Sequence, residues 1–130
     1  MKILVGHAGS DSSDDALTLA KQHAKAFQGS VIVAMALRGN QASQADVVEQ
    51  AKIDLAKAED MFKASGIPCE TRLLTNRIMP GEGIVALARE EAVGEIIIGL
   101  RRRSKLGKLL FGENAQYVIV NAPCPVVTVK

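Results

Sequence analysis

The stretch that decides the fold is IIIGLRRRSKLGKLLFGE, residues 96–113, in which an apolar run ends at Gly99 and a basic loop leads to Gly112. Three consecutive isoleucines are typical of a strand that is buried on both faces of a parallel sheet. A strand ending at a glycine, then a loop, a second glycine and a helix start, is how open α/β sheets offer backbone N–H groups to a phosphate. The stretch therefore predicts an α/β fold with the layout of a nucleotide site.

Apolar runs and helical patterns alternate along the rest of the chain. We predict buried strands over residues 2–6, 30–37, 68–74, 95–99 and 125–129. Helical spacing of apolar residues predicts a first helix that is capped by the serines of 10–13 and ends near Gly29. After a polar loop over 38–42, it predicts a long helix that ends at Ser65-Gly66. Shorter helices are predicted over 83–91 and 113–121. This alternation predicts a single α/β domain with a parallel sheet covered by helices on both faces.

Ligands of such sheets bind beyond the carboxyl ends of the strands, where the strand order reverses. The loops that follow Gly6 and Gly99 are therefore the candidate site.

Size and charge restrict the class of protein. At 130 residues the chain has the length of one domain, and its 48% hydrophobic content includes no run long enough to cross a membrane. Because Met1-Lys2 leads directly into a strand rather than a signal-type segment, we expect a cytoplasmic protein without a membrane partner. A net charge of +2, with three Phe, one Tyr and no Trp, disfavours nucleic acid as a partner.

Three segments share patterns with a known family. Residues 3–17 resemble a strand followed by Asp-Gly-Ser-x-x-Ser-x-x-Ala-Leu, residues 99–113 resemble Gly-x2-Gly-x9-Gly-(Ser/Thr), and residues 123–126 read Pro-Cys-Pro-Val. Together they resemble the universal stress protein family from end to end. The resemblance implies one Rossmann-like domain over residues 1–130, a five-stranded parallel sheet in the order 3-2-1-4-5 and a role in the stress response. It also implies a homodimer through the last strand, with Val126, Val127 and Val129 at the interface.

The resemblance also implies a set of nucleotide-binding positions. In ATP-binding members an Asp after the first strand contacts the adenosine side, loop glycines let backbone amides approach the phosphates, and a final Ser or Thr adds a hydroxyl. Three of these five positions differ here, where Ala8 replaces the Asp, Arg102 the second glycine and Glu113 the Ser or Thr. The candidate nucleotide-binding residues are Gly6, His7, Ala8, Gly99, Arg102, Arg103, Gly112, Glu113 and Asn114.

Each replacement disfavours ATP. Ala8 removes a carboxylate acceptor, which costs about 1.5 to 3 kcal/mol if the lost hydrogen bond was charge-assisted. Arg102 adds bulk where the backbone should approach a phosphate. Glu113 places a carboxylate at the helix N-terminus that the phosphate would use. The leading hypothesis is a regulatory binding protein with weak or no ATP binding, so that no cofactor is expected and ATP is the one candidate.

The basic loop leaves two alternatives open. Arg101, Arg102 and Arg103, with Lys105 and Lys108 nearby, can hold a phosphate by side chains, which makes the chain a genuine adenine-nucleotide binder or slow ATP hydrolase. The same cluster can dock an acidic protein surface, or it can simply stay solvated. A pyrophosphatase-type loop, Ser-Gly-Gly-x-Asp-Ser, is a further rival at residues 7–12, although two of its first three positions differ.

No combination of side chains predicts catalysis. His7 lies near Ser10 and Asp11 in the sequence, but no Gly-x-Ser-x-Gly elbow accompanies them, so His7 is interpreted as a pocket-lining residue. His23 is expected to be partly buried and hydrogen-bonded. Cys69 and Cys124 lack metal-ligand spacing and are expected to be buried structural residues, so no metal site is predicted.

Overall fold

The computed structural model describes residues 1–7, 11–75, 79–100 and 112–130. Within these ranges the chain forms strands and helices in alternation: β1 Lys2–Gly6, α1 Asp11–Phe27, β2 Ser30–Ala36, α2 Gly39–Ala42, α3 Ala45–Ala64, β3 Cys69–Leu74, α4 Pro80–Glu90, β4 Glu95–Gly99, α5 Glu113–Asn121 and β5 Val126–Val129. Each of the five predicted strands is confirmed, with ends that differ by no more than one residue from the expectation.

The five strands form one parallel sheet in the order β3-β2-β1-β4-β5, which confirms the order implied by the family resemblance. Ile3 of β1 lies opposite Val31 on one side and Glu95 on the other, so β1 is the central strand. From β1 the chain first builds outward to β3 and then returns to add β4 and β5 on the other side. The strand order therefore reverses between β1 and β4, which is where a ligand cleft is expected.

Two apolar layers hold the helices against the sheet. One layer joins alternate residues of β1 and β2, such as Ile3 and Val33, to the buried faces of α1 and α3, and Phe62 is fully enclosed there. The other layer joins the intervening residues, such as Leu4 and Ile32, to α4 and α5. Helices thus cover both faces of the sheet, as the apolar strands predict.

Three helix boundaries differ from the expectation. Residues 39–42 form the short helix α2 and not a loop, because the Arg38 N–H donates to Gln41 Oε1 at 3.1 Å and closes a first turn. Helix α1 begins at Asp11, so Ser12 and Ser13 lie inside the helix and do not cap it, whereas Ser10, the other serine of the predicted cap, lies outside the described residues. Helix α4 begins at Pro80, since proline suits a first helical position where no N–H bond is needed.

The remaining sequence expectations concern single side chains. His23 is partly buried with Nδ1 at 2.6 Å from Glu95 Oε1, as predicted. Cys69 and Cys124 are half-buried rather than buried, because both lie near the sheet margins, but each packs against one of the apolar layers as a structural residue would. Burial raises the pKa of Cys69 to about 11 and also raises that of Cys124, which keeps both as thiols at neutral pH.

None of the helices in the described ranges is long and apolar enough to span a bilayer.

Candidate functional site

A cleft of about 340 Å³ opens at the carboxyl edge of the sheet, where β1, β2 and β4 end and α4 and α5 begin. Its position agrees with the reversal of strand order between β1 and β4. Its lining consists of small or apolar residues and three polar side chains: Gly6, His7, Ala34, Met35, Ala36, Leu37, Gln41, Pro80, Gly81, Ile84, Ile98, Gly99, Asn114, Ala115 and Val118.

A larger cavity of about 470 Å³ lies at the opposite, amino edge among the loops that follow α1 and α3. Carboxyl ends of helices converge there, and they repel anions. Helices α4 and α5 instead begin at the 340 Å³ cleft and direct their positive ends toward it. The cleft at the carboxyl edge is therefore the candidate site for a ligand that carries phosphate.

The lining of the cleft is electrically neutral. Among the described residues, no Lys, Arg, Asp or Glu lines it, and the polar side chains are His7, Gln41 and Asn114. The apolar contribution comes from the end of β2 and from branched residues such as Ile84, Ile98 and Val118. This lining suits a flat heterocyclic ring, because such a ring gains most from apolar burial and needs only a few directed hydrogen bonds.

His7 forms a wall between two cavities. Its imidazole is almost fully buried, and its backbone N–H donates to the Ala34 carbonyl at 2.8 Å. On the far side of His7 a second cavity of about 330 Å³ lies between α1 and α3, where Asp14, Asp54 and Lys57 are among the lining residues. Burial lowers the pKa of His7, although the carboxylates of Asp14 and Asp54 oppose the shift. His7 therefore stays neutral at pH 7, as a pocket-lining residue would.

Asn114 links the starts of the two helices at the cleft. Its Oδ1 accepts a hydrogen bond of 2.8 Å from the backbone N–H of Gly81, in the first turn of α4. A Cβ atom at position 81 would stand only 2.8 Å from the Asn114 carbonyl oxygen, so only glycine allows this approach. One of the free N–H groups at the start of α4 is thus already satisfied from within the protein.

Glu113 is the first residue of α5, and its side chain is exposed. Gly112 precedes it as an extended N-cap that has no side-chain cap bond. A carboxylate in this position is attracted by the same helix end that would attract a phosphate. Glu113 does not line the cleft itself, but the next two residues, Asn114 and Ala115, do.

The structure brings part of the predicted nucleotide site together. Gly6, His7, Gly99 and Asn114 line the cleft, and Gly112 and Glu113 lie beside it at the start of α5. The other predicted site residues lie outside the described residues: Ala8, Arg102 and Arg103, together with Arg101, Lys105 and Lys108. Ser10 of the dismissed His7–Ser10–Asp11 combination also lies outside them.

Sequence reasoning missed the contributions of Gln41, Pro80 and Gly81 to the cleft. A usable signal was present, since residues that follow β2 and β3 must approach the carboxyl edge of a parallel sheet. Within the described ranges, no group of three or more His, Cys, Asp or Glu side chains is arranged to hold a metal ion.

Comparison with known proteins identifies close relatives of the whole chain. The model of the Universal stress protein family matches residues 1–130. A "Universal stress protein in QAH/OAS sulfhydrylase 3'region" from Thermus aquaticus is 31% identical over 98% of this chain and 97% of its own length. A solved universal stress protein structure from Archaeoglobus fulgidus is 33% identical, with a TM-score of 0.89 over 100% of this chain and 98% of its own.

A second solved structure from Archaeoglobus fulgidus bears on the ligand. It is a universal stress protein in complex with dAMP, and it is 29% identical to this chain. The two superpose with a TM-score of 0.84 over 100% of this chain and 98% of the relative.

Proposed function

This chain belongs to the universal stress protein family, and on that premise we propose that it is a regulatory binding protein whose cleft takes the base and ribose of an adenine nucleotide but binds ATP weakly or not at all. The proposal assigns binding and no catalysis to the cleft. The observation that carries it is the contrast between a retained, neutral cleft and the Glu113 carboxylate at its phosphate end.

Support for nucleoside binding comes from the shape and lining of the cleft. A volume of about 340 Å³ at the reversal of strand order, with an apolar lining and few polar side chains, fits a purine and its ribose. Gly6 and Gly99 keep the ends of β1 and β4 free of side chains there. The relative in complex with dAMP supports a similar ligand for this chain.

Support for weak ATP binding comes from the start of α5. Glu113 occupies the family's hydroxyl position, and a carboxylate there stabilises the helix by about 0.3 to 1 kcal/mol while it repels an incoming anion. The link from Asn114 Oδ1 to the Gly81 N–H uses one of the amides at the start of α4. Ala8 and Arg102, which lie outside the described residues, also replace the residue types that ATP-binding members use.

Calorimetric titration with adenosine and with ATP and magnesium, at equal ionic strength, tests the proposal. We expect adenosine to bind and the triphosphate to add no affinity, because repulsion by Glu113 offsets what the helix end provides. A sub-micromolar dissociation constant for ATP would contradict weak ATP binding and would favour the alternative in which Arg101–Arg103 hold the phosphates. Absence of adenosine binding would contradict the assignment of the cleft.

We also propose that the chain forms a homodimer through β5. Val126–Val129 is an edge strand of the sheet, and Val126, Val127 and Val129 are only half-buried. Ile119 and Val120, on the helix that precedes β5, are exposed by 41% and 79%. An apolar edge strand with unpaired backbone groups favours pairing with a second copy.

A further inference from the structure

Two side-chain amides of the cleft have their oxygen atoms engaged by the backbone. Gln41 Oε1 accepts the N–H of Arg38 at 3.1 Å, and Asn114 Oδ1 accepts the N–H of Gly81 at 2.8 Å. A backbone N–H can only donate, so the atom that faces it must be the oxygen and not the nitrogen of the amide. The orientation of both amides is therefore decided by their partners.

The consequence is that each amide presents its NH₂ group as the part that no described residue engages, while its oxygen already accepts one backbone hydrogen bond. Neither Gln41 Nε2 nor Asn114 Nδ2 has a hydrogen bond to another residue of the described chain. Both residues line the cleft, and no side chain in its described lining is a carboxylate. A ligand group that bonds to the nitrogen of either amide must therefore carry a lone pair.

Gln41 and Asn114 lie at different ends of the cleft. Gln41 follows β2, whereas Asn114 belongs to the helix after β4, and β1 separates these two strands. Two strand spacings place the ends of β2 and β4 about 10 Å apart, a distance that a nucleoside can span. Since Asn114 adjoins Glu113 at the phosphate end, Gln41 is left at the end that would receive the base.

We propose that Gln41 is a specificity-determining residue whose Nε2 donates a hydrogen bond to a ring nitrogen of the bound adenine. The inference rests on the proposed function, because it takes the cleft to hold a nucleoside. Adenine suits the NH₂ group of Gln41, since its ring nitrogens N1, N3 and N7 carry lone pairs and no hydrogen. Helix α2, formed where the sequence predicts a loop, is the element that positions this amide.

Adenosine and its 1-deaza, 3-deaza and 7-deaza analogues, each of which lacks one ring nitrogen, test the inference by calorimetry. For the unmodified protein we expect one analogue to bind about threefold to tenfold more weakly than adenosine, the usual loss for one hydrogen bond. The penalty should disappear in Gln41→Ala and persist in Gln44→Ala. Gln44 is a matched control, because it is a neighbouring exposed glutamine outside the lining of the cleft.

A second variant, Gln41→Glu, separates the loss of the donor from the loss of the α2 first-turn bond that Gln41→Ala also causes. Glutamate keeps an oxygen for the Arg38 N–H, so α2 retains its first-turn bond, while the donor becomes an acceptor. Adenosine binding should weaken in this variant by at least as much as in Gln41→Ala. If adenosine binds and every analogue shows the same penalty in all variants, this inference alone is overturned. If adenosine does not bind the unmodified protein, the proposed function fails, and the inference fails with it.

Discussion

His7 is a buried side chain that lines cavities on both of its sides. Its imidazole separates the cleft from the cavity between α1 and α3, where Asp14 Oδ1 lies 4.0 Å from Nε2. Burial outweighs the attraction of the two nearby carboxylates, so the net shift lowers the pKa of His7. The protein therefore keeps a neutral histidine beside the candidate cleft at neutral pH.

The lowered pKa of His7 predicts that stability falls as the pH falls. The unfolded chain protonates this histidine near its ordinary value of 6.5, whereas the folded chain does so only at lower pH. Below that value the unfolded state binds more protons, so its free energy drops relative to the folded state. Urea denaturation between about pH 7.5 and about pH 5 should show a smaller loss of stability in His7→Gln than in the unmodified protein. Equal slopes in the two proteins would contradict the burial effect, and His23→Gln serves as the control.

Some residues of the candidate site could be predicted from the sequence, and others could not. The glycines at the ends of β1 and β4 and the pocket-lining role of His7 follow from strand patterns and their carboxyl ends. The link between Asn114 and Gly81 joins residues 33 positions apart, and no local pattern encodes it. Gln41 was missed because the turn of helix that carries it depends on its own side chain bonding to Arg38.

At the scale of elements, the close contact between α4 and α5 shapes one side of the cleft. Gly81→Ala would place a Cβ 2.8 Å from the Asn114 carbonyl oxygen, so one helix must shift. We expect a loss of about 1 to 3 kcal/mol in the free energy of unfolding by urea denaturation. Gly39→Ala is the control, because a Cβ at that helical position meets no atom within 4 Å. It should stabilise the protein by about 0.5 to 1 kcal/mol, and similar effects of both variants would refute this account of Gly81.

The edge strand β5 carries the prediction about assembly. The carbonyls of Pro125 and Val129 accept hydrogen bonds from Ile96 and Leu100, so alternate residues of β5 bond to β4. The N–H of Thr128 consequently points away from the sheet, where it is available to a second copy.

Thr128→Pro removes that N–H without removing a bond to β4, so we expect a folded monomer. Thr128→Val keeps the N–H and should remain a dimer like the unmodified protein. Sedimentation equilibrium at micromolar concentration distinguishes these masses. A monomeric mass for the unmodified protein would refute the proposed dimer.

The sheet and its helices were more predictable than their ends. Burial requires continuous apolar residues in the strands and helical spacing of apolar residues in the helices, and both patterns are visible within each segment. All five strands and α5 were therefore placed correctly. Among the serines predicted to cap α1, Ser13 is a favourable cap in isolation but is buried within the folded helix. The strand order came from the family resemblance, since local patterns do not specify which strands are neighbours.

For the molecule as a whole, we propose a cleft that takes a nucleoside but has little affinity for a triphosphate. Several elements form this cleft together, because β1, β2 and β4 end at it and α4 and α5 direct their positive ends toward it. Membership of the family accounts for the fold, and our proposal is that Glu113 at the start of α5 restricts which ligands the cleft binds. A single charge at position 113 should then control ATP affinity and leave nucleoside affinity alone.

Calorimetric titration of Glu113→Gln with ATP and magnesium measures whether this carboxylate weakens ATP binding, with Glu90→Gln as the control. Glu90 is an exposed glutamate at the far end of α4, about 9 Å along the helix from Ile84, the last residue of α4 that lines the cleft, so its removal changes the net charge equally. We predict that Glu113→Gln binds ATP about threefold to tenfold more tightly than the unmodified protein, with adenosine affinity unchanged and Glu90→Gln without effect. Equal ATP affinity in all three proteins would contradict the account.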